Sequence, residues 1–421
     1  MSGLATPPSV QPLRANRQLL TLLAVQSLGM VARGIFFVGL PLFVLERTGS
    51  ALSMSISLLL SFAPFTVAGP FAGQVVDRFS RRDLLVLSNL VYGALLFPLP
   101  FVHATYLVYA VAFAASLCGV VMVNALVALI PELVDLSQLA KANSVYTFLR
   151  SATYLVSTSA TFLLIKVMGK ADIFFLCSAL LAVCGISCLP VRRDRPHPRT
   201  EEAAAGGGAG PGGFREVLRI MTSDRHVRGL TLMHLMFMPI FGAFEVLLPL
   251  FCDRRLGDAA YYTLLSAAVG AGLALGSLFT YRLLERVRPL SLVLASFCGY
   301  AAGVFLLTRS GVLSLSLLVS FSMGMIDAFG FTTYEFLRQR VVPSAYRGRV
   351  FAVMDALVLL PLPLGYLFIG YFGERASIGA LGAWLCAAGL ALALLCLPFT
   401  RNLPSLDQRN PAANTREADT A

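Results

Sequence analysis

The sequence predicts an all-α membrane protein of twelve transmembrane helices, arranged as two pseudo-symmetric six-helix halves. Three observations predict it. First, of 421 residues 57% are hydrophobic and only 13% are charged, with a mean hydropathy of +0.77. An ordinary soluble domain carries about 25% charged residues, and a single soluble core stops growing near ~250–300 residues. Soluble enzyme, disordered chain and nucleic-acid-binding module are thereby excluded. Second, the apolar residues fall in runs of about 20, the length a helix needs to cross a bilayer. Third, the chain repeats. Segment 39–51 (GLPLFVLERTGSA) aligns with 246–260 (VLLPLFCDRRLGDAA) on Pro41 and Pro249, an offset of 208. The same offset carries Asp77-Arg78 onto Glu285-Arg286, and Pro131 aligns with Pro343 at an offset of 212.

Residues 1–18 are polar, and the first apolar run is too long for a cleaved leader, so they are read as a tail. The first six-helix half occupies 19–191, with spans at 19–45, 51–76, 83–102, 105–130, 143–166 and 172–191. Residues 192–226 are the one long gap. They are first charged and then Gly-rich, which reads as a flexible linker. The glycines lack the Gly-Lys-Ser/Thr that a phosphate loop needs. Within the linker, FREVLRIMT (214–222) reads as a short amphipathic helix lying on the membrane surface. The second half occupies 227–398, with spans at 227–252, 260–282, 290–308, 311–335, 350–372 and 377–398. Residues 399–421 form a second tail.

The net charge is +11, and its distribution sets the orientation. Of the 33 Lys and Arg residues, 24 fall on the side of the N-terminus, the linker and the C-terminus. Seven fall on the opposite side, while Arg33 and Arg150 lie within spans. The positive-inside rule then places both tails and the linker in the cytoplasm. All eight cysteines lie in or beside apolar runs, which argues against a disulfide framework. Cys184 and Cys188 share a helix face, but no His or further Cys accompanies them, so they are read as packing. No nucleophile–base pair, metal constellation or cofactor motif stands out, so neither enzyme activity nor a cofactor is expected.

The loop between spans 2 and 3 reads Gly73-Gln-Val-Val-Asp77-Arg78-Phe-Ser80-Arg81-Arg82. It resembles the loop signature of the major facilitator superfamily, G-x-x-x-D-R-x-G-R-R, departing only at Ser80. A degenerate copy follows at Glu285-Arg286, with Pro289 where a basic residue would stand. Two further stretches are similar to a bacterial subfamily of enterobactin-type siderophore exporters and macrolide-efflux-like proteins. One is Gln339-Arg-Val-Val-Pro343 with Arg347-Gly348-Arg349-Val-Phe; the other is Pro131-Glu-Leu-Val with Ala142-Asn143-Ser. Span 5 lacks the Gly-Pro…Gly-Gly pattern of many drug/proton antiporters.

The resemblance implies a monomeric secondary transporter of the bacterial inner membrane, working by alternating access, with a small molecule, protons and membrane lipids as its partners and no nucleic acid. It also implies a cytoplasmic gate in which Asp77, Arg78, Arg81 and Arg349 cluster. Proton-coupled export of an amphipathic compound, a siderophore or drug-like molecule, is the expected activity. An importer, symporter or lysophospholipid transporter in the same fold, and a membrane sensor or assembly partner, remain alternatives.

Ionisable residues inside spans are expensive and default to functional roles. They are Arg33 (span 1), Arg150 (span 5), Glu245 (span 7) and Asp327 (span 10), with Asp355 near the end of span 11. In the family, spans 1, 4, 7 and 10 line a central cavity. That puts Arg33, Glu245 and Asp327 on three of its walls and Asn124 on the fourth. An Arg33–Glu245 pair is expected as a gate or proton-coupled switch, with Glu245 or Asp327 as proton carrier. His234 is read as a packed, neutral histidine. Phe36, Phe37, Phe237, Phe241, Phe244, Phe329, Phe331 and Tyr334 are the candidate aromatic wall.

Overall fold

Helix starts and stops follow the polar residues between the apolar runs. The computed structural model describes residues 16–68, 72, 75–76, 78–134, 138–191, 213–342 and 347–400, and these contain no strand. Helix α1 (Arg17–Thr48) is capped by Asn16, whose side chain accepts from the Leu19 amide at 3.1 Å. It ends on Gly49, whose φ of 62° closes the last turn through a bond from its amide to Leu45 O. Helix α2 (Ala51–Val67) is capped by Ser50, and α3 (Arg81–Leu96) by Ser80. Ser80 therefore has a structural use at the one place where the loop departs from the family signature. Helices α4 (Thr105–Leu133), α5 (Leu139–Met168) and α6 (Ile173–Ser187) complete the first six.

Helix α7 (Gly213–Ser223) is the amphipathic segment of the linker. Contrary to expectation, its apolar face is turned into protein. Val217 and Met221 are buried in a cluster with Leu290, Val293, Tyr334, Val350 and Met354, because side chains of the following helices offer a drier partner than the lipid interface. Asp224 caps α8 (Arg225–Leu256), accepting from the His226 amide at 2.8 Å. Then come α9 (Tyr261–Leu284), α10 (Pro289–Arg309), α11 (Leu313–Val341), α12 (Arg347–Leu359), α13 (Leu362–Phe372) and α14 (Ile378–Thr400). Pro289, the residue that breaks the second copy of the loop signature, occupies the first turn of α10, where its missing N–H costs nothing.

Ten of the described segments are long and apolar enough to cross a membrane, and the shorter apolar α2 and α6 stand at expected spans 2 and 6. Span 11 was expected as one helix but is two, α12 and α13, interrupted at Leu360-Pro361. Pro361 has no amide to continue the ladder, and Pro363 follows in the next turn.

The chain divides into two compact units that do not coincide with the two sequence halves. The first unit holds residues 1–209 together with Glu245–Ala267 and Tyr366–Ala376. The second holds Gly210–Phe244, Ala268–Gly365 and Ser377–Ala421. In the first unit α1 packs on α2, α5 and α6, while α3 packs on α4 and α6. In the second, α10 packs on α11 and α14. Small residues permit close approach there, as membrane helices require. Gly324 of α11 faces the backbone of Val269, and Gly272 of α9 faces that of Phe321, so a Cβ at either position would collide with main chain.

Candidate functional site

In the first unit, Arg33 projects from α1 beside a cavity of about 200 Å³. The cavity walls come from five helices: Phe36 and Phe37 (α1), Ser61 and Phe65 (α2), Tyr92 (α3), Ser116 and Gly119 (α4), and Ser157 (α5). Phe36 is held by edge-on contacts with Tyr92 and Phe174, at 5.7 and 6.0 Å between ring centres. The only hydrogen bond of the Arg33 side chain among the described residues runs from Nη1 to Met122 Sδ, at 3.8 Å. Its ionisable neighbours are Tyr92, Cys184 and Tyr146, none of them a carboxylate.

Glu245 belongs to the same unit but is not paired with Arg33, and the expected pair is corrected. The Tyr366 hydroxyl donates instead to Glu245 Oε2 at 2.5 Å. Tyr366 is fully buried, and its ring lies 5.8 Å from that of Phe62 on α2. A neutral hydroxyl can hold a carboxylate with one strong bond and no second ion to desolvate. Tyr366 had no sequence signal of its own: a tyrosine in an apolar run is as readily a packing residue.

The other expected residues scatter. Asn124 turns its amide back to Val120 O of its own helix at 2.8 Å, and Arg150 is exposed on α5. In the second unit Asp327 is half-buried on α11, with no hydrogen-bond partner among the described residues. His234 lies 4.2 Å from the Tyr334 ring. Phe237 stacks on Phe297 at 4.2 Å, and Phe237, Phe241 and Phe244 surround Tyr300. Phe331 is exposed, so the candidate aromatic wall is partly core and partly surface.

Of the loop signature, Gly73 and Asp77 lie outside the described residues, as do the side chains of Arg347 and Arg349; Gly348 lies in the first turn of α12. Arg78 is exposed, and so are Glu285 and Arg286. Arg81 forms an ion pair with Glu132 at the end of α4. Arg82 pairs with Asp83 at 2.7 Å and donates to Leu189 O. Glu132 follows Pro131 in a stretch already noted for its family likeness, and that was the available signal for it. Arg338 on α11 was also missed. It pairs with Glu335 at 2.7 Å and with Asp355 of α12, and its guanidinium lies 4.3 Å from the Phe351 ring centre.

At the end of the first unit that holds the α1–α2 turn, a rim of polar contacts joins the two sequence halves. Lys166 pairs with Asp258 and Ser50 Oγ donates to Glu374 Oε1 at 2.6 Å, while beside them, within the second half, Arg254 donates to Gly373 O at 2.5 Å. Phe162 and Tyr261 stack beside it, 6.2 Å apart.

The sequence profile described as Major Facilitator Superfamily matches residues 22–360. The chain belongs to the Major Facilitator Superfamily. As a member it is a multi-pass membrane transporter, and the helical architecture agrees. It is similar to macrolide efflux protein A of Streptococcus pyogenes, with 24% identity over 92% of this chain and 96% of that one. It is also similar to the multidrug efflux pump Tap of Mycolicibacterium fortuitum, with 28% identity over 92% and 97%. Among solved structures, the nucleoside transporter NupG matches with a TM-score of 0.73 at 12% identity, over 92% of this chain and 100% of that one. A bacterial homologue of the lysosomal transporter Spinster matches with a TM-score of 0.68 at 13% identity, over 92% and 95%. These superfamily structures share the fold.

Proposed function

We propose that this superfamily member exports an amphipathic small molecule, a drug-like compound or a siderophore, across the bacterial inner membrane in exchange for protons. Both tails and the linker face the cytoplasm, where the positive charge is concentrated. Export is the direction named for both efflux relatives, which match this chain along nearly its whole length.

One observation carries the coupling: the Glu245 carboxylate is held by a single hydroxyl, that of Tyr366. Protonating Glu245 replaces a charge-assisted bond with a neutral one about half as strong. A proton arriving there loosens α13 from α8 and changes which conformer is favoured. Substrate leaving and proton entering are then alternative occupants of one alternating-access cycle. Asp327 is the second carboxylate available for this role.

The test is export from cells and from proteoliposomes carrying a pH gradient. Cells producing the wild type are expected to accumulate less of a macrolide, and a protonophore abolishes the difference. Glu245→Gln is expected to lose uphill export while retaining downhill exchange. Full gradient-driven export by that variant would remove Glu245 as carrier. Profiling metabolites in cells and spent medium of a deletion strain, with and without iron, then names the native substrate. A compound that rises inside and falls outside identifies it, and the reverse pattern would establish import.

A further inference from the structure

We propose that the cavity beside Arg33 is a subsite for one aromatic group bearing a negative charge, an aryl carboxylate in its simplest form. The inference rests on the transport reading and narrows its substrate class.

Charge is the first argument. Among the described residues Arg33 is the only charged one lining the cavity, and the one hydrogen-bond acceptor its side chain reaches is a thioether sulfur. Asn89 Oδ1 is buried without a partner and lies near the same guanidinium across Gly29. It offers an acceptor but no counter-charge. A guanidinium held inside a membrane without an anion is costly, and the chain supplies none within the described residues. A ligand carboxylate would meet the planar fork of Arg with two parallel bonds, a geometry that a neutral or cationic group does not match.

Size and lining are the second. A space of about 200 Å³ is slightly larger than the ~150 Å³ apolar cavity that admits benzene. It is smaller than the roughly 300–1,000 Å³ that encloses a drug-sized ligand. It therefore takes a single ring, while the rest of an amphipathic substrate stays outside it. Phe37, Phe65 and Tyr92 offer ring faces and edges, and Ser116 offers a hydroxyl, while the Ser61 hydroxyl already donates to Ser57 O at 2.8 Å.

The test uses the purified full-length chain in detergent, radiolabelled benzoate, and benzamide and benzamidine as neutral and cationic competitors. Benzoate is expected to bind saturably, with both competitors at least tenfold weaker. Arg33→Gln is expected to lose at least tenfold in affinity, and Arg33→Lys to recover part of it. Gly119→Val probes the cavity without touching the charge. A Cβ at Gly119 would make ordinary contacts with Phe65 and Tyr92, at 3.7 and 3.8 Å, so the backbone there admits a Cβ, and the added methyls are placed at the wall of the cavity that Gly119 lines. It is expected to abolish benzoate binding in a protein that elutes and melts normally.

No saturable benzoate binding, equal competition by benzamidine, or unchanged binding in folded Arg33→Gln and Gly119→Val overturns the proposal. Macrolide export by a wild type that does not bind benzoate removes the subsite and leaves transport standing. Arg33-dependent benzoate binding in a chain that exports nothing upholds the subsite and removes the transport reading.

Discussion

Arg33 and Glu245 lie in the same unit and meet their surroundings differently. Glu245 has found a hydroxyl within the chain, whereas among the described residues Arg33 reaches only a sulfur, beside an open cavity. Their positions were legible, because an ionisable residue in an apolar run stands out against a composition of 13% charge. Their partners were not, because Tyr366 lies 121 residues from Glu245 and carries nothing in its own sequence context to mark it. Tyr366→Phe keeps the ring against Phe62 and deletes only the hydroxyl. Hydrogen bonds to charged groups are worth about 1.5–3 kcal/mol net, so the variant is expected to melt lower and to couple export to the pH gradient less tightly. A scanning melt and a gradient-driven export assay on the same preparation check both.

At the scale of elements, the twelve apolar runs became helices close to where hydropathy places them. A helix satisfies its own backbone inside lipid with hydrogen bonds within the segment, so the local sequence suffices. Two departures had visible causes. Pro361 and Pro363 divide span 11, and Val217 and Met221 give α7 an apolar face that packs on protein. Close helix approach is set by neighbours rather than by local sequence, and two glycines inside apolar helices diverge. At Gly324 a Cβ would strike the Val269 carbonyl, whereas at Gly119 it makes ordinary contacts. Gly324→Ala is expected to destabilise, since overpacking costs about 1–3 kcal/mol. Gly119→Ala is expected to stabilise by up to roughly 1 kcal/mol through helix propensity. Opposite shifts in melting temperature check the pair of variants.

At the scale of the molecule, the rim contacts tie Glu245–Ala267 and Tyr366–Ala376 to the first six helices within one unit. The Ser50 hydroxyl, followed by backbone amides and Arg375, holds the Glu374 carboxyl below its ordinary value against slight desolvation. For Asp258, partial burial pushes the carboxyl up, but the Lys166 ammonium and the Ala260 amide outweigh it, and the net direction is down. Carboxyls depressed in the folded state add stability above their unfolded values and lose it as pH falls through the folded ones. The rim is therefore expected to be intact at neutral pH and to weaken as pH falls through the usual carboxylate range and below it. Melting temperature should fall more steeply between pH 6 and pH 3 in the wild type than in Asp258→Asn/Glu374→Gln. Equal slopes would show that the acid sensitivity lies elsewhere.

By itself, the sequence determined the membrane class, the twelve spans, the six-plus-six duplication and the family, because transfer of each segment into lipid and the short loop signature are local properties. It also singled out the charges in the apolar runs. Only the tertiary structure decided that Arg33 faces a cavity instead of Glu245, that Tyr366 holds Glu245, that Arg81 meets Glu132, and that Lys166 reaches Asp258. Those pairings depend on distances of one or two ångströms between residues far apart in the chain. They are set by how the helices pack on one another, which no single segment encodes.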